Sequence, residues 1–431
     1  MKWFISALIV ALTVGQSYAD ERPNIVVIVV DDVGRDWLSS YGAKHQTPNV
    51  DRLAKQGVLY QTAWATPNGT ATRLTLLSGQ YPFRHGRGKH SSAEGFSWKK
   101  FTSFARVLRD SGYATAIGGQ WQLNHLDKQA NALKLHGFDE HCVWPETEGR
   151  YWEADIITNG RRETVPYGPD KINDFLLDFI KRKKDRPFLV YYPMRLAHGP
   201  HATTPLNKTD RQGASRSSRE KVLVASTKTE KVSKDDVALY AVNVTYVDRL
   251  VGKLVKAIDD AGQKDNTLII FTSDNGSAFT GVLHGKPLPK GKGRESDIGA
   301  HVPFIVRAPF LTDGGQVSRD LIDFTDLYPT FLELAKVKGP ENLALDGKSF
   351  VPSLRGSEDP FDKRNWIYSQ VGDFRMIRDW HHTLDSKGGF HDINKDPLQE
   401  HKVSPQDKIA PGRRQRLQMI LDRLQKTASS P

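Results

Sequence analysis

The sequence predicts an α/β fold with a mostly parallel open sheet, helices on both faces and a small C-terminal α+β subdomain. Three observations support this prediction. Short apolar runs alternate with longer helical stretches, the first run is continuously β-branched, and from about residue 339 the pattern changes to short polar segments. Alternation of this kind is typical of parallel sheets whose strands are buried on both faces. The 431 residues allow one large domain with an appended piece.

The main strands and helices follow from local patterns. Residues 25–30 form the β-branched run, and further strand candidates lie at 113–117, 188–192, 268–272 and 303–306. A first helix begins after Thr47 and stops at Gly57. The longest helix is predicted over 235–261, because its apolar residues form one stripe and Gly262 follows as a stop signal.

The chain divides into a main domain and a smaller C-terminal part. We predict the main domain over 20–338, with a basic loop insertion at 207–234 that is rich in Ser, Thr and Gly. The C-terminal subdomain covers 339–431. Its predicted elements are short strands at 366–370, 374–377 and 390–393 and a terminal helix at 413–424.

Residues 1–19 have the pattern of a secretory signal peptide. Lys2 precedes a mostly apolar run, and small residues precede the expected cleavage near Ala19. We therefore expect an exported chain, periplasmic or extracellular; the alternative is a buried N-terminal strand or helix. The run is too short to span a membrane and no later segment reaches about 18 apolar residues, so integral membrane association is not expected.

The balance of charge favours acidic partners. The formal net charge of +11 suits sulfated or phosphorylated polymers. Much of the excess lies in the 207–234 insertion, which is either a solvated loop or a polyanion-binding arm. No nucleic-acid-binding motif accompanies the charge, so nucleic acid is not an expected partner. The single cysteine, Cys142, excludes an internal disulfide framework and a cysteine zinc cluster.

Acidic and amide side chains follow two of the predicted strands. Asp31 and Asp32 come directly after the first strand, and Asp274 and Asn275 follow the strand that ends at Thr272. Ligands of open α/β sheets bind outside the carboxyl ends of the strands. If the two strands are neighbours, three carboxylates and an amide converge, and their oxygen atoms suit Ca²⁺ or Mg²⁺ better than zinc. The alternative is that each pair caps the turn or helix that follows it.

An ordered series of motifs runs along nearly the whole chain. Its members are Pro23-Asn24-Ile25 through Asp31-Asp32-x-Gly34, Thr47-Pro48-Asn49-Val50-Asp51-Arg52-Leu53-Ala54, Leu76-Leu77-Ser78-Gly79-Gln80-Tyr81-Pro82-x-Arg84-His85-Gly86, Tyr191-Tyr192-Pro193-Met194-x-x-Ala197-His198, Thr272-Ser273-Asp274-Asn275-Gly276 and Pro287-Leu288-x-x-Gly291-Lys292. The series resembles the sulfatase family, the formylglycine-dependent branch of the alkaline phosphatase superfamily. Such an order is specific for the fold but not for the substrate.

The resemblance implies a site built on one divalent cation, usually calcium, with magnesium as the other choice. The implied metal ligands are Asp31, Asp32, Asp274 and Asn275. The resemblance also implies that Lys292 and His198 contact the sulfate group of an anionic substrate, such as a sulfated carbohydrate or an aryl sulfate. Fixed positive charge stabilises the charge that develops on sulfate oxygens. Without the motif context, the more common interpretation is that His198 is a structural histidine and Lys292 a surface lysine.

The nucleophile segment departs from the family pattern. Members carry Cys or Ser at the start of Cys/Ser-x-Pro-x-Arg, which an activating enzyme oxidises to formylglycine. The matching stretch here is Gly69-Thr70-Ala71-Thr72-Arg73, so the arginine is kept while glycine holds the nucleophile position. Glycine cannot become formylglycine, and none is expected. Cys142 lies in an unrelated context and does not replace it.

Two further substitutions affect the implied substrate-binding residues. Where the family has Lys-Trp-His-Leu-Gly, this chain has Gln120-Trp121-Gln122-Leu123-Asn124. Gln120 and Gln122 therefore stand at substrate-binding positions. Glutamine can donate a hydrogen bond to an anion, but it supplies neither positive charge nor acid/base chemistry near neutral pH.

Thr70 is the candidate replacement nucleophile. It lies one residue beyond the expected position, at a predicted helix N-terminus where the dipole favours an anionic ligand. The segment from Gly69 to Thr72 also resembles the nucleophile segment of the lipid A phosphoethanolamine transferases, which use an unmodified threonine. The alternative is that Thr70 or Thr72 caps the helix.

Two functions from different classes follow from these residues. The first is an exported, metal-dependent hydrolase of sulfate or phosphate esters, with Thr70 or water at the metal as the nucleophile. The second is a catalytically silent protein that binds sulfated glycans and keeps the metal site for structure. The retained metal ligands, His198, Lys292 and Arg73 favour the hydrolase, whereas Gly69 and the two glutamines favour the silent protein. The balance favours the hydrolase.

Overall fold

The computed structural model describes residues 21–86, 96–145, 149–207, 233–404 and 410–429. The predicted signal peptide and nearly all of the 207–234 insertion lie outside these ranges. Within them, no helix has the length and apolar character needed to cross a membrane.

Strands of the described chain form one large sheet, a two-stranded ribbon and a smaller C-terminal sheet. They are β1 Asn24–Val30, β2 Val58–Trp64, β3 Ala114–Gln120, β4 Glu140–Trp144, β5 Trp152–Thr158, β6 Arg161–Tyr167, β7 Phe188–Pro193, β8 Thr267–Ser273, β9 Gly281–Leu283, β10 Lys286–Leu288, β11 His301–Arg307, β12 Gln316–Asp323, β13 Ile367–Val371, β14 Phe374–Arg378, β15 His382–Asp385 and β16 Phe390–Asp392.

The described helices range from single turns to one long amphipathic helix. They are α1 Pro48–Lys55, α2 Gly69–Ser78, α3 Pro82–His85, α4 Phe104–Asp110, α5 Ala132–Leu135, α6 Gly168–Lys183, α7 Lys234–Asp260, α8 Asp297–Ala300, α9 Leu327–Ala335, α10 Val351–Leu354 and α11 Ala410–Ser429. The predicted long helix is α7, which begins at a Ser233 cap whose side chain accepts a hydrogen bond from the Asp236 amide.

The large sheet has ten strands in the order β12-β2-β11-β8-β1-β7-β3-β4-β5-β6. Its middle strands, β8-β1-β7-β3-β4, run parallel to one another, while β11 and the β5–β6 hairpin are antiparallel to their neighbours. The predicted mostly parallel sheet is therefore confirmed. Its parallel strands all place their carboxyl ends on the same edge.

Helices cover both faces of this sheet because side chains along each strand alternate between them. Ile25, Val27 and Val29 of β1 pack in the layer that contains α2, α4 and α9. The intervening residues Val26 and Ile28 pack with α1, α6 and α7 on the opposite face. The continuous β-branched run is thus fully buried, as the sequence predicted. Each such side chain contributes roughly 1.5–3 kcal/mol by burial.

A small antiparallel sheet in the order β13-β14-β15-β16 forms the predicted C-terminal subdomain. The terminal helix α11 covers it through Leu417 and Leu421. Arg378 of β14 donates to the Asp297 carboxylate of α8 at 2.6 Å, so an ion pair joins the subdomain to the main sheet. The division of the chain at residue 338 stays a prediction.

Candidate functional site

Four oxygen-bearing side chains meet at the carboxyl edge of the large sheet. Strands β1 and β8 are parallel neighbours, with Val30 opposite Ser273, so the residues that follow the two strands lie side by side. The Asp32 amide donates to Asp274 Oδ1 at 3.1 Å, and Asn275 Nδ2 donates to Asp32 Oδ1 at 2.8 Å. We call Asp31, Asp32, Asp274 and Asn275 the acidic cluster; all four are buried.

Two cationic side chains neutralise part of this charge. Arg73 of α2 places Nη2 at 2.7 Å from Asp31 Oδ2 and at 3.0 Å from Asp274 Oδ2. Lys292, in the loop after β10, places Nζ at 2.6 Å from Asp32 Oδ2. The Lys292 side chain is 34% exposed, whereas that of Arg73 is 1% exposed. Lys292 is therefore accessible from solvent, whereas Arg73 pairs with two carboxylates in the buried part of the site.

The pKa values of the cluster reflect this uneven pairing. Burial alone would raise the pKa of Asp31, but the charges of His198, Arg73 and Lys292 lower it to about 2. Burial, reinforced by the Asp31 charge, raises the pKa of Asp274 well above its usual range. Burial opposes the charge of Lys292, yet the Asp32 and Asp31 carboxylates raise its pKa. Asp31 is therefore ionised, whereas the ionised form of Asp274 is disfavoured unless further positive charge is present.

His198 lies beside the acidic cluster on the loop after β7. One ligand atom each of Asp31, Asp32 and His198 falls within 4.8 Å of the others. Nδ1 of His198 lies 2.5 Å from the Gly199 carbonyl oxygen, so Nε2 is the ring nitrogen that this contact does not occupy. The Tyr151 hydroxyl donates to the His198 carbonyl oxygen at 2.5 Å and so holds the backbone of this loop.

These residues fit a divalent cation. The donors are carboxylate and amide oxygens, the ligands that Ca²⁺ and Mg²⁺ prefer, and they converge from two adjacent strand ends. The excess of buried carboxylates over cationic side chains also calls for further positive charge. The identity of the ion and the part that each residue plays in holding it stay predictions.

Both predicted substrate-binding glutamines contact Arg73. Gln122 Oε1 accepts a hydrogen bond from Arg73 Nη1, and Gln120 Oε1 lies 3.3 Å from Nη2. Gln120 is fully buried at the end of β3. Their side-chain oxygens are therefore directed to the guanidinium, where they serve as neutral acceptors beside the charged pair.

Position 69 faces the acidic cluster. A Cβ atom built on Gly69 would lie 2.2 Å from Asp274 Oδ2 and 3.6 Å from Asn275 Oδ1. Arg73 lies one turn further along α2 and also contacts Asp274, as residues four apart share a helix face. The Asp274 carboxylate thus occupies the space where a larger side chain at position 69 would begin.

Thr70 lies off this helix face. Residues 69 and 73 face the cluster, and successive helical residues are rotated by about 100°. Within the described residues, no hydrogen bond joins the Thr70 hydroxyl to the acidic cluster. Thr72 instead donates from Oγ1 to the Asp274 carbonyl oxygen at 2.7 Å. Thr70 as nucleophile stays a prediction, and the helix geometry weighs against it.

The cap of α2 is Asn68 rather than either threonine. Its side-chain oxygen accepts from the Thr70 amide at 3.1 Å and from the Ala71 amide at 3.3 Å. The predicted cap, Thr70 or Thr72, is therefore wrong, although asparagine before a helix start is a recognised cap signal. Tyr240 of α7 was not predicted to contact the site, yet its hydroxyl donates to the Asp32 carbonyl oxygen at 2.6 Å. No local pattern marks Tyr240, because its partner lies far away in the sequence.

Replacing Gly69 with alanine is expected to lower the free energy of unfolding by about 1–3 kcal/mol, because the new methyl group must displace a buried carboxylate. Urea denaturation checks this. Ala71→Gly serves as a control for helix propensity, with an expected loss of about 1 kcal/mol. A Gly69→Ala protein as stable as the parent would show that Asp274 moves aside freely.

Comparisons with known proteins agree with this architecture. The family model described as Sulfatase matches residues 23–337. Human N-acetylgalactosamine-6-sulfatase is 30% identical over 383 residues, which cover 79% of this chain and 67% of that protein. The crystal structure of Ps i-CgsB in complex with k-i-k-neocarrahexaose has a TM-score of 0.78 at 25% identity and covers 94% of this chain and 93% of its own.

A further solved structure shares the fold. It holds a protein in complex with its substrate D-glucosamine-2-N,6-O-disulfate, with a TM-score of 0.74 at 21% identity over 95% of this chain and 98% of its own. The family model covers most of the described main domain, including both strands that carry the acidic cluster. This chain therefore belongs to the sulfatase family of the alkaline phosphatase superfamily.

Proposed function

We propose that this chain is an exported hydrolase that acts on a sulfate ester of a carbohydrate and depends on a divalent cation. The observation that carries the proposal is the buried acidic cluster, with Lys292, Arg73 and His198 around it at the carboxyl edge of the sheet. Sulfated sugars are named for the human relative and for one protein of the same fold, which supports this substrate class over a phosphate ester.

Each basic residue has a separate part in this proposal. The partly exposed ammonium of Lys292 binds a sulfate oxygen and orients the ester. His198 lies beside Asp31 and Asp32 and holds or gives a proton at its free ring nitrogen. Arg73 is buried against two carboxylates, so it positions the acidic cluster rather than touching the substrate. A divalent cation, held by the acidic cluster, supplies positive charge that stabilises charge on the sulfate.

The nucleophile of this reaction is not formylglycine, because the side chain at position 69 is a hydrogen atom. Two other groups are candidates for the nucleophile: the Thr70 hydroxyl and a water molecule. The Gly69 face of α2 points to the acidic cluster and the Thr70 position lies off it, which favours water.

Thr70→Ala is therefore expected to retain the turnover number of the parent on a sulfate ester. Removing a true nucleophile would lower turnover by about a hundredfold or more at an unchanged melting temperature. Thr72→Ala is the matched variant, and we expect it to lose stability because Thr72 bonds the Asp274 backbone. A hundredfold loss in Thr70→Ala alone would restore the threonine mechanism.

The hydrolase itself is tested by the release of inorganic sulfate from N-acetylgalactosamine 6-sulfate, D-glucosamine-2-N,6-O-disulfate and 4-nitrophenyl sulfate. We expect calcium-dependent release that a chelator lowers by at least about tenfold. Lys292→Ala should lose most of the activity, whereas Lys290→Ala, an exposed lysine of the same loop, should keep it. Equal rates in both variants would contradict the role of Lys292.

A second function remains, a protein that binds sulfated glycans without hydrolysing them. Gly69 favours it, because the Asp274 carboxylate fills the place of the family's nucleophile. Titration calorimetry with the same sugars separates the two functions. Binding that depends on calcium and Lys292, with no sulfate released from any ester, would establish the silent binder. No binding and no release would reject both.

A further inference from the structure

A row of cations, three exposed lysines and two partly buried arginines, runs along α4 and the segment that precedes it. Trp98 is its aromatic anchor, with Lys99 Nζ at 5.7 Å and Arg106 Cζ at 5.6 Å from the ring centre. Cations at this distance from an aromatic face are attracted to it, so the ring limits their motion. Arg106 also donates to the Trp98 carbonyl oxygen at 3.3 Å. Lys100 lies over the neighbouring Phe101 ring at 5.4 Å.

The row continues along the outer face of α4. Phe104, Val107 and Leu108 are buried, which turns Arg106 and Arg109 to the outside, three residues apart on one face. Arg109 Nη1 donates to the Lys134 carbonyl oxygen at 2.5 Å and so brings the row to Lys134. We call Lys99, Lys100, Arg106, Arg109 and Lys134 the basic stripe. Asp110, which pairs with both arginines, offsets part of its charge.

The segment that leads into the basic stripe is bonded to the loop after β3, which carries Gln122. The Phe96 amide donates to the Leu123 carbonyl oxygen at 2.8 Å, and Asn124 Nδ2 donates to the Phe96 carbonyl oxygen at 3.1 Å. Leu123 directly follows Gln122, whose side chain contacts Arg73. The backbone that carries the stripe is thus bonded to the loop that lines the site.

We propose that the basic stripe binds the sulfate groups of sugar residues next to the one in the site, so that the ligand is a sulfated polysaccharide. This inference rests on the proposed function for the place of the reacting ester. Isolated exposed cations hold an anion weakly, but a row of five with few opposing carboxylates favours a polymer of regular negative charge. The formal net charge of the whole chain, +11, is also positive and would favour the same anionic polymer.

Salt elution from immobilised dextran sulfate tests the proposal. The double variant Lys99→Ala, Lys100→Ala should elute at clearly lower salt than the parent, because fewer counterions are exchanged. The matched control is Lys253→Ala, Lys256→Ala, which removes the same charge from α7 on the opposite face of the sheet. The control should elute with the parent. An equal fall in both double variants, or none in the stripe variant, would overturn the proposal.

Two further measurements separate this proposal from the function of the site. Lys292→Ala should shift the elution less than the stripe variant does, because it removes one cation rather than two. The stripe variant should release sulfate from N-acetylgalactosamine 6-sulfate as fast as the parent does, since it leaves the site intact. If no ester is hydrolysed by any protein, the proposed hydrolase fails, and the elution result still decides the basic stripe. A stripe variant slow on the monosaccharide would overturn the separate role of the stripe.

Discussion

Replacing Arg73 with leucine is expected to destabilise the protein by about 3–5 kcal/mol in the presence of a chelator. The guanidinium contacts both Asp31 and Asp274, and all three side chains are buried. Without it, the Asp31 and Asp274 carboxylates face each other in a region of low polarity and lose the one side chain that pairs with both of them. The free energy of unfolding from urea denaturation measures the loss. A matched control is Arg182→Leu, an exposed arginine paired with Glu140 and Asp178, with an expected cost below about 1 kcal/mol.

The stability of Arg73→Leu relative to the parent is expected to depend on pH. In the parent, Asp31 has a pKa of about 2, below the unfolded value of about 3.9. A lowered pKa contributes stability above the unfolded value, and this contribution is lost as the pH falls through the folded value. We therefore expect the gap between parent and Arg73→Leu to narrow below about pH 4. A gap that stays constant from pH 7 to about pH 3 would assign the loss to packing instead.

Calcium is expected to stabilise the parent and not Asp274→Asn. A ligand that binds only the native state adds about 2.7 kcal/mol at a hundredfold excess over its dissociation constant. The asparagine keeps the shape of the side chain but removes one of three carboxylates from the acidic cluster. Calcium titrations followed by thermal unfolding measure the difference. Sulfate release should fall by about a hundredfold or more in the variant.

In the presence of a chelator, the order of stability of the parent and Asp274→Asn is expected to reverse. Burial and the Asp31 charge raise the pKa of Asp274, so its ionised form is unfavourable in the folded protein at neutral pH. The amide removes this charge, and the cation-free variant should be at least as stable as the parent. The control is Asp396→Asn in the second described group of potential ligands, Asp396, Glu400 and His401, where calcium should act as in the parent. A parent unaffected by calcium would reject the metal site.

Local sequence patterns were sufficient for the buried parallel strands. The β-branched run of β1 and the runs of β3, β7, β8 and β11 are apolar because both faces of each strand are covered, so the signal lies within the strand itself. The predicted bounds differ from the observed ones by at most three residues at either end.

The remaining strands of the large sheet were not predicted. β12 lies at one edge of the sheet with five partly or fully exposed residues, and β5 and β6 form an antiparallel hairpin at the other edge. Their sequences mix polar and apolar residues, because only part of each strand is covered. Whether such a segment forms a strand depends on the strand with which it pairs, and that partner can lie far away in the sequence. The four-residue strand β15, an inner strand of the C-terminal sheet, was also not predicted.

The chemistry of the site divides in the same way. The amino-acid sequence alone determined that carboxylates follow two buried strands, that position 69 has no side chain, and that glutamines stand at positions 120 and 122, where the family resemblance implies a lysine and a histidine. These are properties of residue identity and local order.

Only the tertiary structure decided how these residues meet. The pairing of β1 with β8 brings the carboxylates together, Arg73 joins Asp31 to Asp274, and the direction of the Gly69 Cα–H bond turns position 69 toward the cluster. Asn68, not a threonine, caps α2. Each of these depends on contacts between segments or on the rotation of a helix about its axis, and residue order does not encode either one locally.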